Sequence, residues 1–383
     1  MSSSRVGRLL FGSCRLFGAG LLAVLAAVLV LGGGLALAQQ TVVIGMLGPL
    51  SGDYATYGTS VANGVELAIN EANASGNYSY RFVLQKEDTR GDQVQALNAM
   101  NKLIELDRVT AIVGAVLSGE TLTAGPIAQD AGVPMITPSA TAPAVSEIGN
   151  YEFRNVITDD VQAAQMAEYA INSLGLRRFA ILHANNDYGV ALRRAFEAGV
   201  QANGGQVVAV ESYLDGDSNF SAQLTNIARQ NPEALYIGGY YTEAAKIAQQ
   251  AALQGLNVRL MGADGFDSPE LISLGGAAVE GALFTSGFYN ATEDPLAAEF
   301  VRKYEAAYGM KPDMFAANAY DSARIILEAI QAVGPNRAAV RDWIANVQDF
   351  PGVTGVTTFA DNGDAVKPLY ILRVENGQFT QER

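Results

Sequence analysis

The sequence predicts an α/β protein of two lobes, each a doubly wound open sheet. Three observations carry the prediction. Short runs rich in Val, Ile and Leu alternate with segments of helical periodicity from Gln40 onward. The pattern restarts near Asp159, so the chain holds two such series. The length, 383 residues, allows two or three domains if a domain takes about 150 residues. Strand–helix alternation of this kind gives parallel sheets covered by helices on both faces.

Taken in order, Thr41–Gly45 reads as a buried strand with a Gly/Pro/Ser loop after it. Val61, Val65, Ala68, Ile69 and Ala72 then recur at helical spacing. Arg81–Gln85 is the second strand. Asp92 is an N-cap for a helix with Val94, Leu97, Met100 and Ile104 on one face. Thr110–Gly114 is the next strand, a helix begins at about Thr121, and Val133–Ile136 ends the first series. The second series opens with a helix from Asp159 to Leu174. Strand Arg178–His183, a helix from Gly189, strands Gln206–Glu211 and Ala234–Gly238, a helix through Leu253 and a strand ending at Met261 follow. Ligands of open α/β sheets sit outside the carboxyl ends of the strands. The loops to inspect therefore follow Gly45, Gly114, Ile136, His183, Gly238 and Met261.

Composition excludes several classes. At 49% apolar and 17% charged the chain is not disordered, and one Cys cannot form a disulfide scaffold. A formal charge of −14 argues against a nucleic-acid partner, since phosphate contacts need clustered Lys and Arg. One His and one Cys leave little for a metal site or a His-based catalytic relay. No metal, no cofactor and no catalytic residue is expected.

The N-terminus reads as a leader. Arg5, Arg8 and Arg15 precede or open an apolar run from Leu16 to Leu31, and Ala36-Leu37-Ala38 supplies small residues at a cleavage site. That is a secretory signal peptide over residues 1–38. The rival reading is an uncleaved anchor, because Leu16 to Ala38 just spans a bilayer. Cleavage after Ala38 would remove Cys14 and three of the 25 basic residues but none of the 39 acidic ones. That leaves 22 against 39, a charge of −17, and no thiol. A chain without thiols suits an oxidising compartment, and a periplasmic or other extracytoplasmic location is expected.

Catalytic motifs are missing. There is no Walker-type loop ending in Gly-Lys-Ser/Thr, no Gly-x-Ser-x-Gly elbow and no His-Glu-x-x-His. Gly48-Pro-Leu-Ser51-Gly52 has the wrong spacing for an elbow, and neither Ser51 nor Ser118 has a base beside it in sequence. His183, at a strand end, reads as structural. Asp159-Asp160 stands at a helix start, where acids favour the helix dipole, and is read as structural too.

What remains is a set of polar and aromatic residues at strand ends. Ser118 and Glu120 follow the strand ending at Gly114; Ser139 and Thr141 follow Ile136-Thr137-Pro138. Both segments can offer hydroxyls and backbone N–H groups to an anion at a helix N-terminus, although Ser and Thr also serve as plain caps. In the second series Tyr188, Tyr240 and Tyr241 lie at successive strand ends, and Asp264 sits in Met261-Gly-Ala-Asp-Gly265. Tyrosines there can be core and the acid a turn former. Together, though, one lobe offers donors for a carboxylate and the other an acceptor for an amine, the complement of a zwitterionic amino acid.

The segments Gly48-Pro-Leu-Ser-Gly-Asp-Tyr-Ala-Thr-Tyr-Gly58, Ile136-Thr-Pro-Ser-Ala-Thr-Ala-Pro143, Asn186-Asp-Tyr-Gly189, Ile237-Gly-Gly-Tyr-Tyr241 and Met261-Gly-Ala-Asp-Gly265 resemble the leucine/isoleucine/valine-binding protein family. These are the substrate-binding subunits of branched-chain amino-acid ABC importers. The similarity runs from about Thr41 to Phe379 with the motifs in the same order. It implies a type I periplasmic-binding-protein fold, two lobes joined by three hinge crossings around a cleft. The implied organisation is lobe I over 41–158, lobe II over 159–287, a return to lobe I over 288–362, and a lobe II or hinge segment over 363–383. The resemblance implies that Ser118, Ser139 (through its backbone) and Thr141 bind the ligand carboxylate. By the same resemblance Asp264 takes the α-ammonium, Tyr188 and Tyr240 are the second-lobe tyrosines, Tyr57 is an aromatic lid over the side chain, and Leu117 lines the same pocket. The sequence departs from some members in lacking a lobe I disulfide and in having Asp, one methylene shorter than Glu, at 264.

The expected function is a solute receptor without catalytic activity, closing on a neutral, aliphatic amino acid and presenting it to the permease of an ABC importer. It would act as a monomer, with no nucleic-acid partner. The absence of Lys and Arg from the site motifs disfavours Asp or Glu as ligand. Alternatives are an amide, a urea-like solute or an aromatic acid as ligand, a ligand-sensing receptor domain, or a hydrolase or amidase with an unrecognised nucleophile.

Overall fold

The structure is a computed structural model that describes residues 39–382. The leader, its cleavage site and Cys14 lie outside the described residues. In the first lobe, β1 (Gln40–Gly48), β2 (Tyr80–Asp88), β3 (Ala111–Val113), β4 (Met135–Thr137) and β5 (Glu152–Arg154) form a five-stranded sheet in the order β2-β1-β3-β4-β5. The pairs β1–β3, β3–β4 and β4–β5 are parallel. Helices α1 (Ala55–Ser75), α2 (Gln93–Asn101) and α3 (Ser118–Asp130) connect these strands.

The chain then passes to the second lobe through α4 (Asp159–Asn172). There β6 (Arg178–Ala184), β7 (Gln206–Tyr213), β8 (Ala234–Gly238), β9 (Arg259–Gly262) and β10 (Leu283–Ser286) are linked by α5 (Asp187–Ala202), α6 (Ser221–Ala228), α7 (Tyr241–Leu253) and α8 (Pro269–Gly275). Next, α9 (Pro295–Tyr308) and α10 (Met314–Val333) return to the first lobe and pack on α1. α11 (Arg337–Ala345) and a small antiparallel sheet of β11 (Phe350–Gly352), β12 (Gly355–Phe359) and β13 (Ala365–Val366) follow. Finally β14 (Tyr370–Glu375) and β15 (Gln378–Gln381) add antiparallel strands beside β10, giving a sheet ordered β15-β14-β10-β9-β8-β6-β7. Parallel centre strands with helices on both faces are the doubly wound arrangement that the sequence alternation predicts.

The predicted elements are present with shifted ends. The helix expected from about Thr121 begins at Ser118, because Glu120 reaches back to accept the Leu117 N–H at 3.3 Å and so closes the first turn. The helix expected from Gly189 begins at Asp187, where Asn186 caps it by accepting Gly189 N at 2.8 Å. The three-residue strands β5 (Glu-Phe-Arg) and β11 (Phe-Pro-Gly) lack the β-branched and aliphatic runs that mark β3 and β4, and sequence reading leaves them unassigned.

Long-range polar ties hold the first lobe's ligand-side loops. Arg154, 1% exposed, bonds Ala142 O at 2.7 Å and pairs with Asp364. Asn318 on α10 donates to Pro138 O at 3.0 Å, and Asn155 donates to Asn318 O and Ser322 Oγ. A buried guanidinium is tolerated only when its donors are met, so this network makes the loop over 138–142 a fixed part of the core.

Candidate ligand-binding site

The first lobe contributes two interlaced loops. After β3 the chain runs through Val116 and Leu117 into the first turn of α3, where the leading amides have no intrahelical partner and the helix dipole favours an anion. After β4, Thr137 donates to Ala115 O at 2.8 Å and accepts Ala140 N at 3.0 Å, while Ser139 Oγ donates to Val116 O at 2.7 Å. Ser118 Oγ accepts Ala142 N at 3.3 Å, which leaves its own proton to donate. The result is a set of hydroxyl and backbone donors with no cation among them.

The second lobe contributes the opposite character. Tyr188, in the first turn of α5, and Tyr240, the N-cap of α7, stack with ring centroids 5.0 Å apart and planes 14° apart. Tyr188 Oη donates to Asp264 Oδ1 at 2.7 Å and accepts Gly265 N at 2.9 Å. Position 265 must be glycine, since a Cβ there would lie 2.6 Å from Gly239 O and 2.9 Å from Tyr188 Oη. Burial pushes the Asp264 carboxyl up to about 6, against hydrogen bonds from Tyr188 and Gln162 that hold it down.

These two halves meet around a small, tightly closed cavity. Leu117, Ser118, Ser139, Tyr188, Tyr240 and Asp264, all expected from sequence, line it with Val116, Gly265 and Phe315. Tyr57 and Thr141 lie beside the cavity, outside its lining. Tyr57 is fully buried, stacks on Phe315 with centroids 4.3 Å apart, donates to Gly265 O and accepts Tyr241 N at 3.2 Å. Tyr241 Oη and Thr242 Oγ1 in turn donate to Asp53 O at 2.9 and 3.1 Å. These bonds join the lobes along one edge of the cleft.

Besides Val116 and Phe315 of the lining, sequence reading missed one residue. Asp159, read as a helix-start acid, does begin α4, but it is 0% exposed and neither carboxyl oxygen has a hydrogen-bond partner. Burial and the nearby charge of Asp264 raise its pKa well above the ordinary carboxylate range. The Thr141 hydroxyl close to it likewise lacks a partner of hydrogen-bond geometry, and Thr141 O accepts Asp159 N at 3.0 Å. The sequence signal was the position of the doublet, at the restart of the pattern; Asp160 beside it is exposed and plays the ordinary part. Glu120, by contrast, is occupied: its carboxylate accepts Thr89 Oγ1 and Leu117 N. His183 keeps its structural reading, with Nδ1 2.8 Å from Ala184 O.

A wider groove lined by Leu176, Glu233, Arg259 and Gly281 lies at the amino ends of β6, β8 and β9, the wrong end of an open sheet for a ligand. Among the described residues no cluster of His, Cys, Asp and Glu could hold a metal, and no helix is long and apolar enough to cross a membrane.

The family model described as periplasmic binding protein matches residues 41–378. The chain belongs to this family. Among other periplasmic binding proteins, the Leu/Ile/Val-binding protein BraC3 of Rhizobium johnstonii is 31% identical over 343 residues, covering 88% of this chain and 92% of that one. The leucine binding protein LivK of Thermotoga maritima superposes with a TM-score of 0.86 at 35% identity, over 89% of this chain and 98% of that structure. LivJ of Streptococcus pneumoniae, a branched-chain amino acid transporter substrate-binding protein in complex with isoleucine, gives 0.85 at 32% identity, over 90% and 98%. The two-lobed α/β architecture is thus that of a periplasmic binding protein, and the cavity lies where its lobes meet.

Proposed function

We propose that this chain is the extracytoplasmic substrate-binding protein of an ABC importer and takes a neutral, aliphatic amino acid into the cleft. The observation that carries the reading is the buried Asp264 carboxyl, which lines a cavity without a cation in its lining and has the buried, unpartnered Asp159 carboxyl close enough to feel its charge. A buried carboxylate is tolerated only with a counter-charge or a proton, and a ligand ammonium supplies the counter-charge. The ligand carboxylate takes the hydroxyl proton of Ser118, the backbone N–H of Ser139 and the amides of the first turn of α3. Its side chain takes Val116, Leu117, Phe315 and Tyr240. Aromatic acids lack the ammonium and leave both carboxyls unmatched, and acidic side chains meet no cation.

The mechanism is closure. Each lobe binds one end of the zwitterion, so only the closed form makes both sets of contacts, and ligand shifts the population towards it. No bond is made or broken. The protein acts as a monomer, exported by its leader, without nucleic acid, and hands the solute to the permease. Calorimetry of the protein lacking residues 1–38 against the twenty amino acids tests this. Binding of leucine, isoleucine, valine, alanine or threonine is expected, and no binding by any of them would sink the reading.

A further inference from the structure

Two carboxyl groups that are to share one ammonium must be held at a fixed separation, although their charges repel. The side chain that ties the backbone leading into Asp159 to the backbone of Asp264 is Gln162. It lies three residues after Asp159 on α4 and is 1% exposed, one turn along the same helix face. Its Oε1 accepts Asp264 N at 3.3 Å and Thr285 Oγ1 at 2.8 Å, and its Nε2 donates to Ile157 O at 3.0 Å. One amide therefore ties the segment entering α4, the loop that carries Asp264 and strand β10. An amide at this reach offers both an acceptor for two donors and a donor for a carbonyl without adding a third charge. Tyr188 holds the Asp264 carboxyl from α5, on its other side. The direct tie of the Asp264 backbone to α4 runs through Gln162.

We propose that Gln162 is a positioning residue for ammonium recognition, setting the separation of Asp159 and Asp264 so that one amine engages both. The proposal rests on the amino-acid reading above. Its test is a double-mutant cycle read by calorimetry with L-leucine, using wild type, Gln162→Met, Asp264→Asn and the double variant. In the wild-type background Gln162→Met weakens binding by more than about tenfold, the scale of coupling between residues in one hydrogen-bond network. In the Asp264→Asn background it costs less than about threefold, because the amine no longer has two charges to bridge. A melting curve checks each fold. Should Gln162→Met not fold, Gln162→Ala, which removes both the acceptor for Asp264 N and Thr285 and the donor to Ile157 without adding charge, takes its place in the same cycle. Equal losses in both backgrounds, or a loss below threefold in wild type, overturn the proposal and leave the amino-acid reading intact. Failure of wild type to bind leucine or any other amino acid removes the reading and the proposal together.

Discussion

Replacing Asp159 by Asn should move ligand affinity and protein stability in opposite directions. In the free protein the Asp159 carboxyl is fully buried, has no hydrogen-bond partner and feels the charge of Asp264. Burying it there is a cost, and the neutral, nearly isosteric amide relieves the repulsion. The folded free protein should therefore gain stability, read as a higher melting temperature near neutral pH. With an amino acid bound, the same change removes one charge-assisted hydrogen bond to the ammonium, worth roughly 1.5–3 kcal/mol. Because a factor of ten corresponds to about 1.4 kcal/mol, the dissociation constant should rise roughly 10- to 150-fold. Asp264 remains to hold the amine, which is why the loss is not total. Scanning fluorimetry and calorimetry on one preparation measure both quantities. Unchanged affinity, or a drop in both melting temperature and affinity, would refute the assignment, since the first means that Asp159 does not meet the ligand and the second that it is simply structural.

Three further outcomes follow from the geometry. Burial raises Asp264 and Asp313 to about 6, Glu120 to about 7 and Asp267 to about 8. A raised carboxyl binds more protons folded than unfolded, so stability falls as pH rises through these values. His183 and Lys367, both lowered by burial, act with the opposite sign but are two groups against four. The urea midpoint of the free protein should therefore be higher at pH 5 than at pH 8, and a midpoint that rises over this range contradicts the assignment. Tyr57→Phe deletes the hydroxyl that bonds Gly265 O and Tyr241 N across the cleft. At roughly 0.5–1.5 kcal/mol per hydrogen bond this should speed ligand release several-fold in stopped-flow, with a smaller effect on association. Gly265→Ala places a Cβ 2.6 Å from Gly239 O, and should cost both melting temperature and ligand binding; a variant that binds normally would mean that this loop yields easily.

The loops that form the site were legible because strand–helix alternation fixes which ends of the strands meet a ligand, and because Ser, Thr, Tyr and Asp stood at those ends. Asp159 was not legible. An acid at a helix start is ordinarily a solvated partner of the dipole, and its burial here comes from packing against Thr141 and the Asp264 loop, which are distant in sequence. Tyr57 was placed near the ligand by resemblance, yet its hydroxyl bonds Gly265 and Tyr241, 208 and 184 residues away in the chain. No local pattern encodes such a contact. Strands β14 and β15 escaped for a related reason: they complete a sheet whose other members end at Ser286.

That late completion bears on how the chain is made. Arg154, which supports Ala142 in the first lobe, finds its carboxylate at Asp364. The second lobe's β10 stays an unpaired edge on one side until residues 370–375 arrive. Both half-sites therefore wait on the last few dozen residues to be synthesised, so a nascent or truncated chain ending before Asp364 has neither lobe finished.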